Sequence, residues 1–375
     1  MSNESIPSSE KHDALARDAA ATSVRLRDWL LRGPAQVHHG QQVGGVAGAV
    51  DGDGSPRYVY AEITGYYLSW LADIGADGGD AAIRMRASLA VAWARRAFAR
   101  DGFAPQTRIY LADAEPDWRN DAIFFFDFAM LLRGLDAAVE AHLVEDAVEL
   151  RGALHKQLAQ FVDAERLRAA IQVRGTQALP PRWSTLGGPF LVKASSRVAH
   201  GASHAALPEA LERACAAESD RWASGAADVD LGMLHPTLYF AEGLLLSHPE
   251  RAQDIARLLN RCLELALADG SLPETAGEKP AATAPRVRND IIAQALRVAI
   301  LVRELGAASA PSAETLDRLS AALLARIGSG KFLSFNSEQG SQANVWCTMF
   351  AEQALRWYAG FRNDSARRPS AAALV

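Results

Sequence analysis

His235, Tyr239 and Glu242 stand at i, i+4 and i+7, which sets an imidazole, a phenol and a carboxylate in one row on a helix face. Lining a cavity, such a row could donate a proton, accept one and hydrogen-bond a ligand hydroxyl. The same residues also have a structural reading, with His235 capping the helix ahead of Pro236 and Glu242 paired to an arginine of a neighbouring helix. Asp290, Gln294 and Arg297 repeat the spacing behind Arg288. A planar guanidinium there would suit a carboxylate or phosphate, or join an interhelical lattice of Asp and Arg. Trp346, Phe350 and Gln353 give an aromatic version of the row, whose two rings read first as a core stripe.

Two carboxylates stand apart from these rows. Glu62 lies between Tyr60 and Tyr66, with Tyr58 and Tyr67 close by. Apolar neighbours would raise its pKa toward that of a general acid, whereas a place near a helix start would favour its charge. Asp127 follows Phe124-Phe125-Phe126 and precedes Met130-Leu131-Leu132. A lone charge in such a run is costly to bury unless another helix, a water or a ligand compensates it, and Arg133 is off the i+3 and i+4 positions. Trp118, within 117–121, reads as part of a loop at a cavity mouth, where it could stack on a ligand ring or simply pack the loop.

No phosphate-cradling glycine loop, dinucleotide fingerprint or Gly-x-Ser-x-Gly elbow occurs, which leaves acid and base chemistry by carboxylate, His or Tyr, with no cofactor and no metal expected. Cys215, Cys262 and Cys347 are widely spaced in apolar contexts and read as buried free thiols. The net charge of −5, with Arg scattered among Asp and Glu, offers no basic footprint for nucleic acid. No stretch of about 18 uncharged apolar residues is present to span a bilayer. Residues 1–18 lack the apolar core of a secretory signal, so a cytoplasmic location is expected.

The elements that must position these side chains are helices. With 49% hydrophobic and 22% charged residues, the 375-residue chain can bury a large core. Strongly apolar segments that open on polar or aromatic residues recur at roughly 50–65 residues. They fall at 60–68, 124–132, 183–193, 235–244, 290–297 and 344–353, and a more amphipathic stretch follows each, of which 81–100 is the clearest. A helix apolar all round must be buried while its amphipathic partner faces water, so six pairs predict an inner and an outer ring. Gly187-Gly188-Pro189 interrupts the third segment, where a loop or a shortened helix is expected. Strand-like runs are confined to 57–60 and 108–111, and no sheet is expected. One domain is assigned to 19–363, with mobile tails at 1–18 and 364–375.

These aromatic and carboxylate residues at inner-helix starts resemble the six-hairpin glycosidase-like superfamily across residues 20–362. That ring fold is shared by many glycoside hydrolases, sugar epimerases and the toroid domains of polysaccharide lyases. The resemblance implies an all-α (α/α)6 toroid and a carbohydrate-active enzyme, a hydrolase, lyase or epimerase, working on an oligosaccharide or sugar conjugate. Glu62, Asp127, His235, Tyr239, Glu242 and Asp290 would be its acid and base residues. Tyr60, Tyr66, Trp118, Arg288, Gln294, Arg297 and Trp346 would meet the substrate. A hydrolase needs two facing carboxylates, about 5 Å apart for retention or roughly 6.5–9.5 Å for inversion. A lyase or epimerase would use His235 and Tyr239 beside a uronate carboxylate. The rival is a noncatalytic toroid, a binding or scaffold subunit of a biosynthetic assembly. Terpene cyclases and lanthionine cyclases are similar rings, but Asp51-Gly52-Asp53 and the acidic run at 113–117 depart from the Asp-x-Asp-Asp run of the first, and no Cys neighbours a His as in the second.

Overall fold

A computed structural model of the chain describes residues 8–76, 80–98, 106–111, 117–145, 147–164, 166–200, 208–276 and 286–375. Residues 1–7 and the acidic positions 113–116 lie outside them. Among the described residues the helices are α1 (Ser8–Arg32), α2 (Ala61–Gly75), α3 (Ala81–Phe98), α4 (Phe125–Glu140), α5 (Val148–Ala159), the single turn α6 (Trp183–Leu186), α7 (Leu191–His200), α8 (Glu209–Ala223), α9 (Leu234–Ser247), α10 (Ala252–Leu263), α11 (Asn289–Glu304), α12 (Ala313–Ile327) and α13 (Val345–Arg362). Helices α2, α4, α7, α9, α11 and α13 touch in that order, and α13 returns to α2, closing an inner ring. An outer helix packs on each: α3, α5, α8, α10 and α12 follow their partners in the chain, and α1 backs α13. The protein is an all-α (α/α)6 toroid.

Patterning explains the two rings. Helix α11 is buried at every position from Asn289 to Val302, so it can only sit inside. Helix α3 buries one stripe, Ile83, Ala87, Ala90, Val91, Trp93 and Ala94, and shows its arginines to water. Inner helices also approach closely where side chains vanish. A Cβ on Gly65 of α2 would lie 2.4 Å from the Met130 carbonyl oxygen of α4, and one on Gly134 would lie 2.2 Å from the Gly65 oxygen. Backbone on both sides cannot give way locally, so Gly65→Ala is expected to destabilise by roughly 1–3 kcal/mol, although alanine is the better helix former by about 1 kcal/mol. Gly152→Ala in α5, where the added carbon meets nothing within 4 Å, should instead stabilise by about 0.5–1 kcal/mol. Urea midpoints of the two variants decide it: shifts of the same sign would remove the close-approach argument.

Three expectations are corrected. A sheet is present: β1 (Ala47–Val50), β2 (Pro56–Tyr60), β3 (Arg108–Tyr110) and β8 (Ala343–Asn344) form an antiparallel array in the order β3-β2-β1-β8. Two small ribbons pair β4 (Ala122–Phe124) with β7 (Ala170–Gln172) and β5 (Val162–Asp163) with β6 (Arg166–Leu167). Strand β2 runs directly into α2 and sets Tyr60 opposite Arg108. Residues 8–18, expected in a mobile tail, open α1, where Ala16 is buried and His12 meets Asp317 at 2.7 Å. Residues 364–375 are docked rather than free. Arg367 bonds Asp73 in the last turn of α2, and Leu374 and Val375 are fully buried. Main-chain oxygens of this segment accept hydrogen bonds from Arg133, Gln353, Lys193 and Arg297, so its backbone satisfies buried donors that the helices leave over. In the third repeat, α6 ends at Leu186, Gly187 and Gly188 adopt φ of +81° and +148°, and the inner helix starts at Leu191. The chain there has the break that Gly187-Gly188-Pro189 implied.

Candidate functional site at the inner-helix N-termini

Inner helices α2, α4, α9, α11 and α13 each start after one extended residue: Tyr60, Phe124, Met233, Arg288 and Asn344. Only Asn344 caps its helix with a side chain, to Cys347 N. The other four leave first-turn N–H groups uncapped by the preceding side chain, and the positive ends of the helices point toward one region. The first turns carry Glu62, Asp127, His235, Asp290 and Trp346 into it. Thus the residues predicted from five separate segments come together.

One grouping is Tyr60, Glu62 and Asp127. The Tyr60 hydroxyl lies 3.4 Å from Asp127 Oδ1, and Glu62 stands two residues after Tyr60 in the first turn of α2. Burial pushes the Asp127 carboxyl well above the usual carboxylate range, and the negative charge of Glu62 pushes it further. Burial also raises Glu62, against the hydrogen bonds of Tyr60 and Tyr66 and the charges of Lys193 and Arg108. The ionisation of one such carboxyl disfavours that of the other. Asp127 is almost wholly buried, while Glu62 and Tyr60 remain partly open.

Arg108 was not among the predicted site residues. Its guanidinium sits 4.8 Å from the Tyr58 ring centroid and 5.8 Å from that of Tyr60, and pairs with Asp117 at 3.4 Å. The strand-like run at 108–111 was its only signal. Trp118 is half-buried, edge-on to Phe124, with the guanidinium carbons of Arg119 and Arg182 at 4.7 and 5.8 Å from its ring. Trp183, also absent from the predicted residues, meets His235 edge-on at 5.9 Å between ring centroids.

His235 Nδ1 lies 2.8 Å from Gln294 Oε1 and 3.4 Å from Asp290 Oδ2. An amide oxygen accepts, so Nδ1 carries the proton and Nε2 its lone pair. Burial and the charge of Arg288 bring His235 down to about 3, and it stays neutral. Asp290 is gripped by Arg288 through Nε at 3.2 Å and Nη2 at 2.7 Å, and accepts from Trp346 Nε1 at 3.2 Å. As the pH falls from about 6.5 toward 3, the unfolded chain binds a proton at His235 that the fold refuses, so this residue removes stability across that window. His235→Gln is expected to flatten the decline of the urea midpoint between about pH 6.5 and pH 4. An unchanged slope would mean that the folded imidazole accepts the proton.

Deeper, Tyr66 and Tyr239 share a 2.9 Å hydrogen bond. Beneath them Glu242 is held by Lys193 Nζ at 2.7 Å and Arg297 Nη2 at 2.6 Å, all three side chains fully buried. Arg297 also donates to Gln353 at 3.0 Å. Glu242 and Arg297 therefore sit in a buried lattice with Lys193, and Arg288 is engaged by Asp290. Lys193 escaped sequence reasoning although it breaks the apolar run 189–194 just as Asp127 breaks its own. Two surface clefts, of about 660 and 930 Å³, open along residues 34–42 with Ile109 and Tyr110, and between α3 and the end of α4. Neither contains His235 or any of the carboxylates above. Among the described residues no group of three His, Cys, Asp or Glu side chains is placed to hold a metal, the three cysteines are buried and free, and no helix is long and apolar enough to cross a membrane.

No protein-family model matches the sequence, and no curated protein sequence matches it. Solved structures do match the fold. A D-mannose isomerase structure superimposes with a TM-score of 0.67 over 95% of this chain and 100% of its own, at 12% identity. The cellobiose 2-epimerase of Spirochaeta thermophila DSM 6192 gives a TM-score of 0.63 over 92% and 98% of the two chains, also at 12% identity. An unsaturated glucuronyl hydrolase from Bacillus sp. GL1 gives 0.55 over 91% and 95%, at 13% identity. Over nearly its whole length, the chain has the (α/α)6 toroid architecture of these structures.

Proposed function

We propose that the protein is a carbohydrate-active enzyme that acts on an oligosaccharide or sugar conjugate by acid/base chemistry, with Glu62 and Asp127 as the catalytic pair. The observation that carries this reading is the placement of Asp127 3.4 Å from the hydroxyl of Tyr60, beside the helix start that bears Glu62, with both carboxyls shifted upward by burial and Asp127 further by the charge of Glu62. A carboxyl that keeps its proton near neutral pH can protonate a glycosidic oxygen while its neighbour acts as base or nucleophile. Tyr60, Trp118, Trp183 and Trp346 offer the ring faces against which sugars stack. The fold supports the reading, since the structures it matches include a sugar isomerase, an epimerase and a glucuronyl hydrolase.

Hydrolysis suits these groups better than proton removal from carbon. Tyr239 is buried and its phenol is pushed well above its ordinary range, first by burial and then by Glu62. His235, brought down to about 3, is a weak base that can accept a hydrogen bond from a sugar hydroxyl. Arg288, clamped by Asp290, is not free to receive a uronate carboxylate. The test is a glycan-library turnover screen on purified protein, repeated with Glu62→Gln and Asp127→Asn. Turnover that the variants lose supports the pair. Saccharide binding without turnover would favour the noncatalytic toroid, and turnover that both variants retain would overturn the assignment.

A further inference from the structure

Arg108 opens the edge strand β3 and is fixed by its backbone and by ring faces. Strand pairing sets it opposite Tyr60, and the Asn120 side chain accepts from its N–H at 2.9 Å and donates to its carbonyl at 3.0 Å. The guanidinium carbon then lies 4.8 and 5.8 Å from the Tyr58 and Tyr60 ring centroids. A guanidinium that packs by its face keeps its N–H edge for hydrogen bonding. Here that edge is underused. The ion pair with Asp117 is long, 3.4 Å, and Nε is buried with no acceptor among the described residues. By contrast, Arg288 and Arg297 close on carboxylates at 2.7 and 2.6 Å.

Asp117 is already committed elsewhere. Its Oδ1 accepts from the N–H and Nη1 of Arg119, both at 3.0 Å, and its Oδ2 from the Tyr110 hydroxyl at 3.1 Å. One carboxylate thus serves two arginines, and that group of three side chains is net positive. Asp290 is spent on Arg288 and offers no second counter-ion. Burial holds the carboxyls of Glu62 and Asp127 above their ordinary range, which lowers the negative charge that an incoming anion would meet. Arg108 is also within reach, since 21% of its side-chain surface stays exposed. Its ring partner Tyr60 carries the hydroxyl 3.4 Å from Asp127 Oδ1, so the guanidinium and that carboxyl flank one tyrosine side chain. A short saccharide covers that span.

We propose that Arg108 makes this site selective for an acidic saccharide, whose oxyanion substituent, a carboxylate or a sulfate, it receives on its N–H edge beside Tyr60. The planar fork suits either group. Arg119, whose guanidinium carbon lies 4.7 Å from the Trp118 ring centroid, adds positive charge on the side of that stacking face. The inference rests on the reading of this region as a saccharide site and names the class of saccharide.

The test is calorimetric titration of the full chain with matched short oligosaccharides of the glucose, galactose and mannose series, each as the neutral sugar, the uronate and the 6-sulfate. In at least one series an acidic member is expected to bind about tenfold or more tightly than its neutral counterpart, with an advantage that shrinks as salt is raised. The uronate and sulfate arms tell which oxyanion the site takes. Arg108→Gln should cut the acidic-to-neutral preference by roughly 10–100-fold. Arg108→Lys, which keeps the charge but not the fork, should cut it by less, and serves if the glutamine variant does not fold. Equal binding of acidic and neutral members, no binding of any acidic member, or a preference that both variants retain would overturn the inference. Neutral saccharides turned over without acidic preference, and lost in Glu62→Gln and Asp127→Asn, would leave the catalytic pair standing while the inference falls. An Arg108-dependent preference with turnover that those two variants retain would do the reverse.

Discussion

Glu62→Gln and Asp127→Asn are each expected to lower kcat/KM on the saccharide found by the screen by about 10²–10⁴-fold, or roughly 3–5.5 kcal/mol of transition-state stabilisation. The amides keep the shape but cannot exchange a proton, so the loss should fall on kcat more than on KM. The double variant should be little worse than the worse single one, because a pair that passes one proton works as a unit. Stability should move the opposite way for Asp127→Asn. A carboxyl whose folded pKa is raised adds stability at low pH and loses it as the pH climbs through the folded value. Above that value the wild-type fold carries a buried charge beside Glu62 that asparagine does not have, so the variant should be less active and more stable, increasingly so as the pH rises. Parallel assays and urea unfolding from about pH 5 to 8 check this; an inactive variant that is also destabilised throughout would point to a structural role for Asp127.

Much of this site was legible in the sequence because helical spacing reports faces. The row His235, Tyr239, Glu242 does lie along one face of α9, and the lone charge of Asp127 within a phenylalanine run did mark a place that needed a partner. Spacing along one helix cannot report depth. Glu242, seven residues below His235, is two turns further along the helix, and only the positions of Lys193 and Arg297 on other helices show that it belongs to a buried ion-pair lattice. Arg108 was hidden for another reason. It is brought to Tyr60 by pairing between short strands far apart in sequence, and β1 (Ala47–Val50), with alanine and glycine in place of large alternating residues, carries no strand pattern to announce the sheet. The docked segment 371–375 was missed because its alanines say nothing of backbone carbonyls, and those carbonyls are what the buried Arg133, Lys193 and Arg297 use.

Removing Glu242 should destabilise the fold more than removing either carboxyl of the catalytic pair. Glu242→Leu takes the anion away from Lys193 and Arg297 together, both fully buried, and breaking a buried pair from one side costs about 3–5 kcal/mol. That is a large share of the 5–15 kcal/mol typical of a folded domain. The two cations should respond differently. Arg297 cannot shed its proton, but Lys193 can, at the expense of a depressed pKa in the folded state. The native variant would then bind fewer protons than its unfolded chain, so its stability should rise with pH through the alkaline range. Urea unfolding from about pH 6 to 9.5 separates the contributions. A flat profile would mean that the remaining partners of Lys193, among them the main-chain oxygen of Val375 and the Tyr239 and Tyr66 rings, keep it charged, and a loss under about 1 kcal/mol would mean that the lattice is wet rather than sealed. Converting Lys193, Glu242 and Arg297 together to Met, Leu and Met should recover much of the loss, since apolar side chains of similar volume need no counter-charge. That rescue would show that the loss comes from unpaired buried charge rather than from lost packing.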